Sequence, residues 1–162
     1  METLAFAMQM ELDSEAYYRR QASKLQNTIL VPVFQSLADE EAQHVKLLQA
    51  QAAGQPIDLP AENGALTASM NVFRQVDDFH AQHPEVLDQL EPYEAACELE
   101  VKSADLYHRM LEASTDEPSR VLYTLLAREE EKHQSVLEEL YQHLNRPNTW
   151  VEAAEFGVRE DY

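Results

Sequence analysis

Residues 37–48 read Leu37-Ala-Asp-Glu-Glu41-Ala-Gln-His44-Val-Lys-Leu-Leu48, and residues 126–137 read Leu126-Ala-Arg-Glu-Glu130-Glu-Lys-His133-Gln-Ser-Val-Leu137. At a shift of 89 positions, without a gap, Leu37, Ala38, Glu40, Glu41, His44 and Leu48 fall on Leu126, Ala127, Glu129, Glu130, His133 and Leu137. The same shift carries back to Glu11, Ser14, Tyr18 and Arg20, which meet Glu100, Ser103, Tyr107 and Arg109. Ten identities over the 38 positions from Glu11 to Leu48 exceed what this composition gives by chance, and they cluster on polar residues. The chain therefore reads as a duplicated helical hairpin.

The residues around the repeat agree. Only three glycines occur, and Val and Ile are sparse beside Ala, Leu, Glu and Gln, so helix is favoured over strand throughout. Leu4, Met8, Leu12, Ala16 and Leu25 keep a helical period over residues 2–26. Pro32 suits a first turn, and Phe34, Leu37, Val45 and Leu48 continue that helix to about Ala52. The stretch from Ala52 to Ala65 holds Gly54, Gly64, Pro56 and Pro60 and breaks the pattern. A shorter helix is expected over Leu66–Ala81, a long one from Pro84 to Ala113, and another from a cap at Thr115 or Asp116 to Leu144. Two short connections flanking a long one predict an all-α, antiparallel four-helix bundle of two hairpins, 2–52 and 84–144, joined by a crossover over 53–83. Residues 145–162, with Trp150, Val151, Phe156 and Val158, are expected to pack as a tail on the bundle or on a second subunit.

Composition narrows the function. With 30 acidic against 12 basic residues, the 162-residue chain carries a formal charge of −18 and a pI near 4.5, which disfavours nucleic-acid and membrane-surface partners. The start, METLAFAMQM, lacks the positive charge of a signal peptide, and no apolar run would span a bilayer, so a cytoplasmic location is expected. The single cysteine, Cys97, excludes an internal disulfide and any two-cysteine zinc or iron–sulfur motif.

The chemistry lies in the repeated Glu-x-x-His step, Glu41 to His44 and Glu130 to His133. Three residues is nearly one helical turn, so both side chains of a step can reach one point in a bundle core. Each step follows by 30 residues a glutamate on the preceding helix, Glu11 or Glu100. One Glu from each of two helices and a Glu-x-x-His from each of the others make a di-metal carboxylate site. Four carboxylates and two neutral imidazoles match the charge of two divalent ions, whereas four unpaired buried carboxylates would be severely destabilising. Spacing alone leaves the register open, since Glu40 and Glu129, four residues before each histidine, can share the same face. Tyr18 and Tyr107 lie two turns beyond Glu11 and Glu100, placed either to donate hydrogen bonds to ligand carboxylates or to pack as core aromatics. Ser14, Ser103, Met8 and Cys97 lie about one turn from Glu11 and Glu100 and are candidates to line the pocket. His80 and His83 beside Asp77 and Asp78 read as surface residues before a minor metal site.

On Glu11, Glu100, Tyr18, Tyr107 and both Glu-x-x-His steps, the sequence resembles the rubrerythrin-like branch of the ferritin-like superfamily over residues 2–144. The resemblance implies two irons held by Glu11, Glu41, His44, Glu100, Glu130 and His133, with Glu41 and Glu130 bridging, although manganese or zinc could occupy the same ligands. It implies reaction with hydrogen peroxide or dioxygen, with ferroxidase and iron storage as the alternative and a structural metal-binding module as a further one. An oxygenase acting on an organic substrate would use the same ligands. It also implies a homodimer or higher homo-oligomer and a separate electron donor such as a rubredoxin or flavoprotein reductase. Two positions depart from relatives: Ser103 stands where rubrerythrins carry a further glutamate, and Ala42 where bacterioferritins carry a haem-ligating methionine, so no haem is expected.

Overall fold

The computed structural model describes residues 2–25, 30–59 and 91–155, with side chains for all of these except residues 91, 92 and 145–155. Four α-helices make up the described architecture: α1 (Glu2–Lys24), α2 (Val31–Ala52), α3 (Glu91–Ala113) and α4 (Glu117–Glu155). α1 packs along α2 and α3 along α4, and the two hairpins face each other through α1 with α3 and α2 with α4. The result is an all-α four-helix bundle. No helix among the described residues is long and apolar enough to cross a membrane.

Local chemistry sets the ends of these helices. Pro32 sits in the first turn of α2, where its missing N–H costs nothing. α2 stops where Gly54 takes φ +63°, a conformation a side chain would strain, and its N–H returns to the Gln51 carbonyl. Between α3 and α4, Asp116 Oδ1 accepts the Ser119 backbone N–H at 2.9 Å and caps α4. Arg120 donates from Nη1 to the Leu111 and Ser114 carbonyls, each at 3.2 Å, and closes the end of α3.

The apolar core falls into two clusters. One joins Tyr18, Phe34, Leu37, Tyr93, Val136 and Leu140 among others, and the second joins Ala7, Leu48, Tyr107, Leu122 and Leu126 with their neighbours. The buried charged residues Glu11, Glu41, His44, Glu100, Glu130 and His133 belong to neither cluster.

α4 differs from expectation. It continues past Leu144 and through Pro147 to Glu155. An internal proline deletes one backbone hydrogen bond and strains the preceding turn, but flanking helix formers can carry the helix on. The expected helix over 66–81, the residues 84–90 at the start of the third helix, His80, His83 and the end of the tail lie outside the described residues.

Candidate metal centre

Each helix delivers its residues to one level of the bundle. α1 supplies Glu11, α2 supplies Glu41 and His44, α3 supplies Glu100, and α4 supplies Glu130 and His133. All six are at most 1% exposed, a degree of burial that charged groups almost never reach without partners. Their candidate ligand atoms form two groups, each with atoms within 4.8 Å of one another: Glu11, Glu41, His44 and Glu130, and Glu41, Glu100, Glu130 and His133. Glu41 and Glu130 belong to both groups, so one carboxylate from α2 and one from α4 are placed to span two ions.

The hydrogen bonding leaves just the atoms that two ions would need. Glu11 and Glu100 each have one oxygen bonded to a tyrosine and one without a hydrogen-bond partner, whereas Glu41 and Glu130 have both oxygens unpartnered. The Nδ1 atoms of His44 and His133 are unpartnered as well. These eight atoms are all but one of the buried unpartnered side-chain atoms among the described residues, where such atoms are ordinarily rare. They would offer a metal site carboxylate oxygens from all four helices and one imidazole nitrogen in each of the two groups, a donor set that fits divalent metal.

The histidines converge on the same space. His44 Nδ1 lies 2.9 Å from Glu130 Oε1 and 3.3 Å from Glu41 Oε2, while His133 Nδ1 lies 3.3 Å from Glu41 Oε1 and 3.7 Å from Glu100 Oε2. The rings are nearly parallel, 18° apart, with centroids at 5.7 Å. Their outer nitrogens are held across the hairpins, His44 Nε2 by Glu129 at 2.7 Å and His133 Nε2 by Glu40 at 2.8 Å. A carboxylate at Nε2 accepts a hydrogen bond from the ring N–H there, which keeps the proton on Nε2 and leaves the Nδ1 lone pair free for a metal. Glu40 and Glu129 thus stand outside both candidate ligand groups, each against a histidine of the opposite hairpin. Sequence spacing presented them as an alternative register; what it lacked was the neighbouring hairpin to which they point.

The tyrosines also cross. Tyr18 on α1 donates to Glu100 Oε1 on α3, and Tyr107 on α3 donates to Glu11 Oε1 on α1. Neither bonds the glutamate of its own helix. Ser103 is buried, and its hydroxyl donates to Met10 Sδ at 3.3 Å; Ser14 is buried beside Glu11 on α1. Met8 and Cys97 are half-buried, pack against the second and first apolar cluster respectively, and stand in neither ligand group. Burial, with smaller contributions from Glu138 and Glu100, pushes the Cys97 thiol up to about 11, so it packs as a neutral small side chain.

Electrostatics divide the four carboxylates by position. Burial pushes Glu41 up to about 8 and Glu130 well above the carboxylate range, and neighbouring glutamate charges add to both. Burial opposes charge on Glu11 and Glu100 too, but contacts with the central glutamates, the histidines and the capping tyrosines outweigh it and pull both down, Glu11 to about 2. The histidines lie well above the usual imidazole range because surrounding carboxylates overcome the effect of burial. Without ions, the two central carboxylates and the imidazoles must share the protons that metal charge would replace.

Fold and site together define a four-helix bundle with a buried carboxylate–histidine cluster suited to metal. The Rubrerythrin family model matches residues 2–56, a span that takes in Glu11, Glu41 and His44, and supports a rubrerythrin-like member of the ferritin-like proteins. No curated protein and no solved structure matches the chain. The match and the buried carboxylate–histidine cluster together point to binding of metal, with iron the metal of that family.

Proposed function

We propose that the protein is a di-iron oxidoreductase that reduces hydrogen peroxide or dioxygen, protecting the cell against oxidants. The sharing of Glu41 and Glu130 by both ligand groups carries this reading, because two ions sharing those carboxylates would lie close enough to act on one O–O bond. Two bound irons would supply the two electrons that break that bond. Glu11, Glu41 and His44 would hold one ion with Glu130, and Glu100, Glu130 and His133 the other with Glu41. Glu129 and Glu40 keep the imidazoles in the tautomer that binds metal. Tyr18 and Tyr107 hold a proton against each terminal carboxylate, and the two apolar clusters keep bulk water from the centre.

Electrons would return from a separate donor protein, such as a rubredoxin or flavoprotein reductase, since a single cysteine cannot ligate an iron–sulfur cluster. The family's dimers make a homodimer the working expectation, and the cytoplasm its working location. Ser103 favours a second reading. Its hydroxyl is engaged by Met10 and offers no fifth carboxylate, so the two half-sites are equal, as in the ligand set of the iron-oxidising bacterioferritins. A ferroxidase would accumulate many irons per chain in a cage-sized particle, whereas the oxidoreductase holds two.

Metal content per chain after expression in iron-supplied cells, with optical spectra before and after anaerobic reduction and peroxide addition, tests the proposal. Two irons per chain with near-ultraviolet absorption lost on reduction and restored by stoichiometric peroxide are expected. Two zincs, or diferrous protein that peroxide oxidises no faster than free ferrous ion, would overturn it.

A further inference from the structure

α1 and α3 lie side by side, and a groove runs along the outer side of their seam. Phe6, Met10 and Tyr17 of α1 and Leu99 of α3 line it together with Asp13 and Arg20. Phe6 is 63% exposed, the most exposed large apolar side chain among the described residues, and Leu99 is exposed while Met10 and Tyr17 are half-buried. Aromatic and methionine side chains gathered in one groove of a strongly charged surface mark an interface, unlike apolar residues scattered singly. Basic residues, only 12 against 30 acidic ones, hold three places along these two helices beside the groove: Arg20 on α1, and Lys102 and Arg109 on α3.

The crossed tyrosines fix the relative levels of the two helices. Tyr18 meets Glu100 and Tyr107 meets Glu11, so each step forward along α1 is matched by one step back along α3. Arg20 is then level with Glu98, Gln9 is level with Arg109, and Asp13 stands three residues, about 4.5 Å along the axis, from the level of Lys102. Glu98 and Lys102 share one side of α3, where their charged groups are 3.9 Å apart and the side chains 75% and 71% exposed. Lys102 is also one turn from Leu99, at the edge of the groove. The repeat makes the charge pattern visible. Met10 aligns with Leu99, and both line the groove, but Asp13 aligns with Lys102 and Gln9 with Glu98. Equivalent positions on α1 and α3 have taken different charges, and at Asp13 and Lys102 opposite ones.

We propose that the α1–α3 face binds the same face of a second copy of the chain about a two-fold axis parallel to the helices. The proposal rests on the homodimer expectation above and is independent of the reaction assigned to the metal centre. Such an axis lays α1 of each copy along α3 of the other with all levels kept, so every contact occurs twice. Arg20 of each copy meets Glu98 of the other, Asp13 meets Lys102 and Gln9 meets Arg109, while Phe6, Met10, Tyr17 and Leu99 are buried between these polar pairs. An axis at right angles to the helices would lay α1 on α1 and α3 on α3. Centred on the groove, it would set Asp13 against Asp13 and Lys102 against Lys102, which like-charge repulsion disfavours. Two chains that each carry a charge of −18 associate best where that repulsion is locally relieved. The face is also large enough. α1 and α3 have 23 residues each, and as a pair they are about 35 Å long and about 20 Å across, in line with the roughly 800 Å² that each partner of a stable complex buries. Ser14, buried one turn from Glu11, lines the same groove, so the second copy would also shield the α1–α3 side of the metal centre from bulk water.

Sedimentation of the iron-loaded full chain over a range of concentrations gives the dimer dissociation constant. Arg20→Glu and Glu98→Arg should each raise it by about tenfold or more, because two like-charge contacts replace two attractive ones. Mixed together, the two variant chains should associate with each other about as tightly as the wild type, since the heterodimer restores both contacts with the charges exchanged. A pair within one chain could not give this rescue. Phe6→Ser should weaken the dimer by about tenfold or more. Val121→Ser removes an apolar side chain that is 42% exposed on α4 and should leave the dimer unchanged. All four positions are exposed, so iron content, read on the same samples, should stay at the wild-type value throughout. A dimer that tolerates Phe6→Ser and both charge reversals would overturn this face and leave the dimer expectation standing, whereas wild-type protein that stays monomeric would overturn both. Charge-reversed chains that dissociate and show no rescue on mixing would overturn the two-fold arrangement.

Discussion

His44 on the first hairpin is oriented by Glu129 on the second, Nε2 to Oε2 at 2.7 Å. The relation is reciprocal, because Glu40 holds His133 in the same way. Each hairpin therefore positions the imidazole of the other, and neither hairpin alone would present a complete set of ligands. Glu129→Ala should lower metal affinity by about 10–100-fold while leaving helical content intact, as read by competition with a chromophoric chelator. Unchanged affinity would mean that packing alone orients His44.

Removing the capping hydroxyl isolates a smaller effect. Tyr18→Phe keeps the ring in its apolar cluster but strips Glu100 Oε1 of its donor. The metal-free protein should lose about 1–3 kcal/mol, measured by urea unfolding. A loss much below this range would show that water reaches Glu100 and replaces the phenol.

Much of this arrangement was legible in the sequence because it was written twice. The shift that superposes Glu41 and His44 on Glu130 and His133 predicts hairpins, and the structure has them. Pro32 and Asp116 mark helix starts by chemistry that acts within a single turn, so they were readable too. Contacts between hairpins were not. That Tyr18 serves Glu100 rather than Glu11, and that Glu40 and Glu129 back the opposite histidines, depends on how two hairpins face each other. Periodicity reports only which side of its own helix a residue occupies. The run of α4 beyond Leu144 was missed for the reverse reason, since a local signal, Pro147, sits within helix.

The separation of the core into two clusters has an energetic consequence. Leu37 and Leu126 are repeat mates, each fully buried, but they belong to different clusters. Leu37→Ala and Leu126→Ala should each cost about 2–5 kcal/mol through lost burial and a residual cavity. With no shared partners, the double substitution should equal the sum within about 0.5 kcal/mol, in urea unfolding at a fixed metal concentration. A large departure from the sum would show that the carboxylate layer transmits packing strain from one cluster to the other.

Removing the metal should invert the pH dependence of stability. Glu41, near 8, and Glu130 hold protons more tightly in the folded protein than at the ordinary glutamate value of 4.5, and His44 and His133 do so relative to 6.5. Their contribution is complete below those unfolded values and is lost as pH rises through the folded ones. Glu11, near 2, and Glu100 act in the opposite sense, stabilising above 4.5 and losing that contribution as pH falls through their lowered values. Metal-free protein should therefore be most stable in mildly acidic buffer, and its melting temperature should fall between about pH 5 and about pH 8. Metal binding requires the same groups deprotonated, so the gain in melting temperature from added ferrous or zinc ion should grow over that interval. Calorimetry of chelator-treated and reconstituted protein across the range reads both trends. A metal-free melting temperature that rises from pH 5 to 8 would mean that Glu41 and Glu130 are charged and solvated in solution, and would remove the electrostatic basis for a closed two-metal centre.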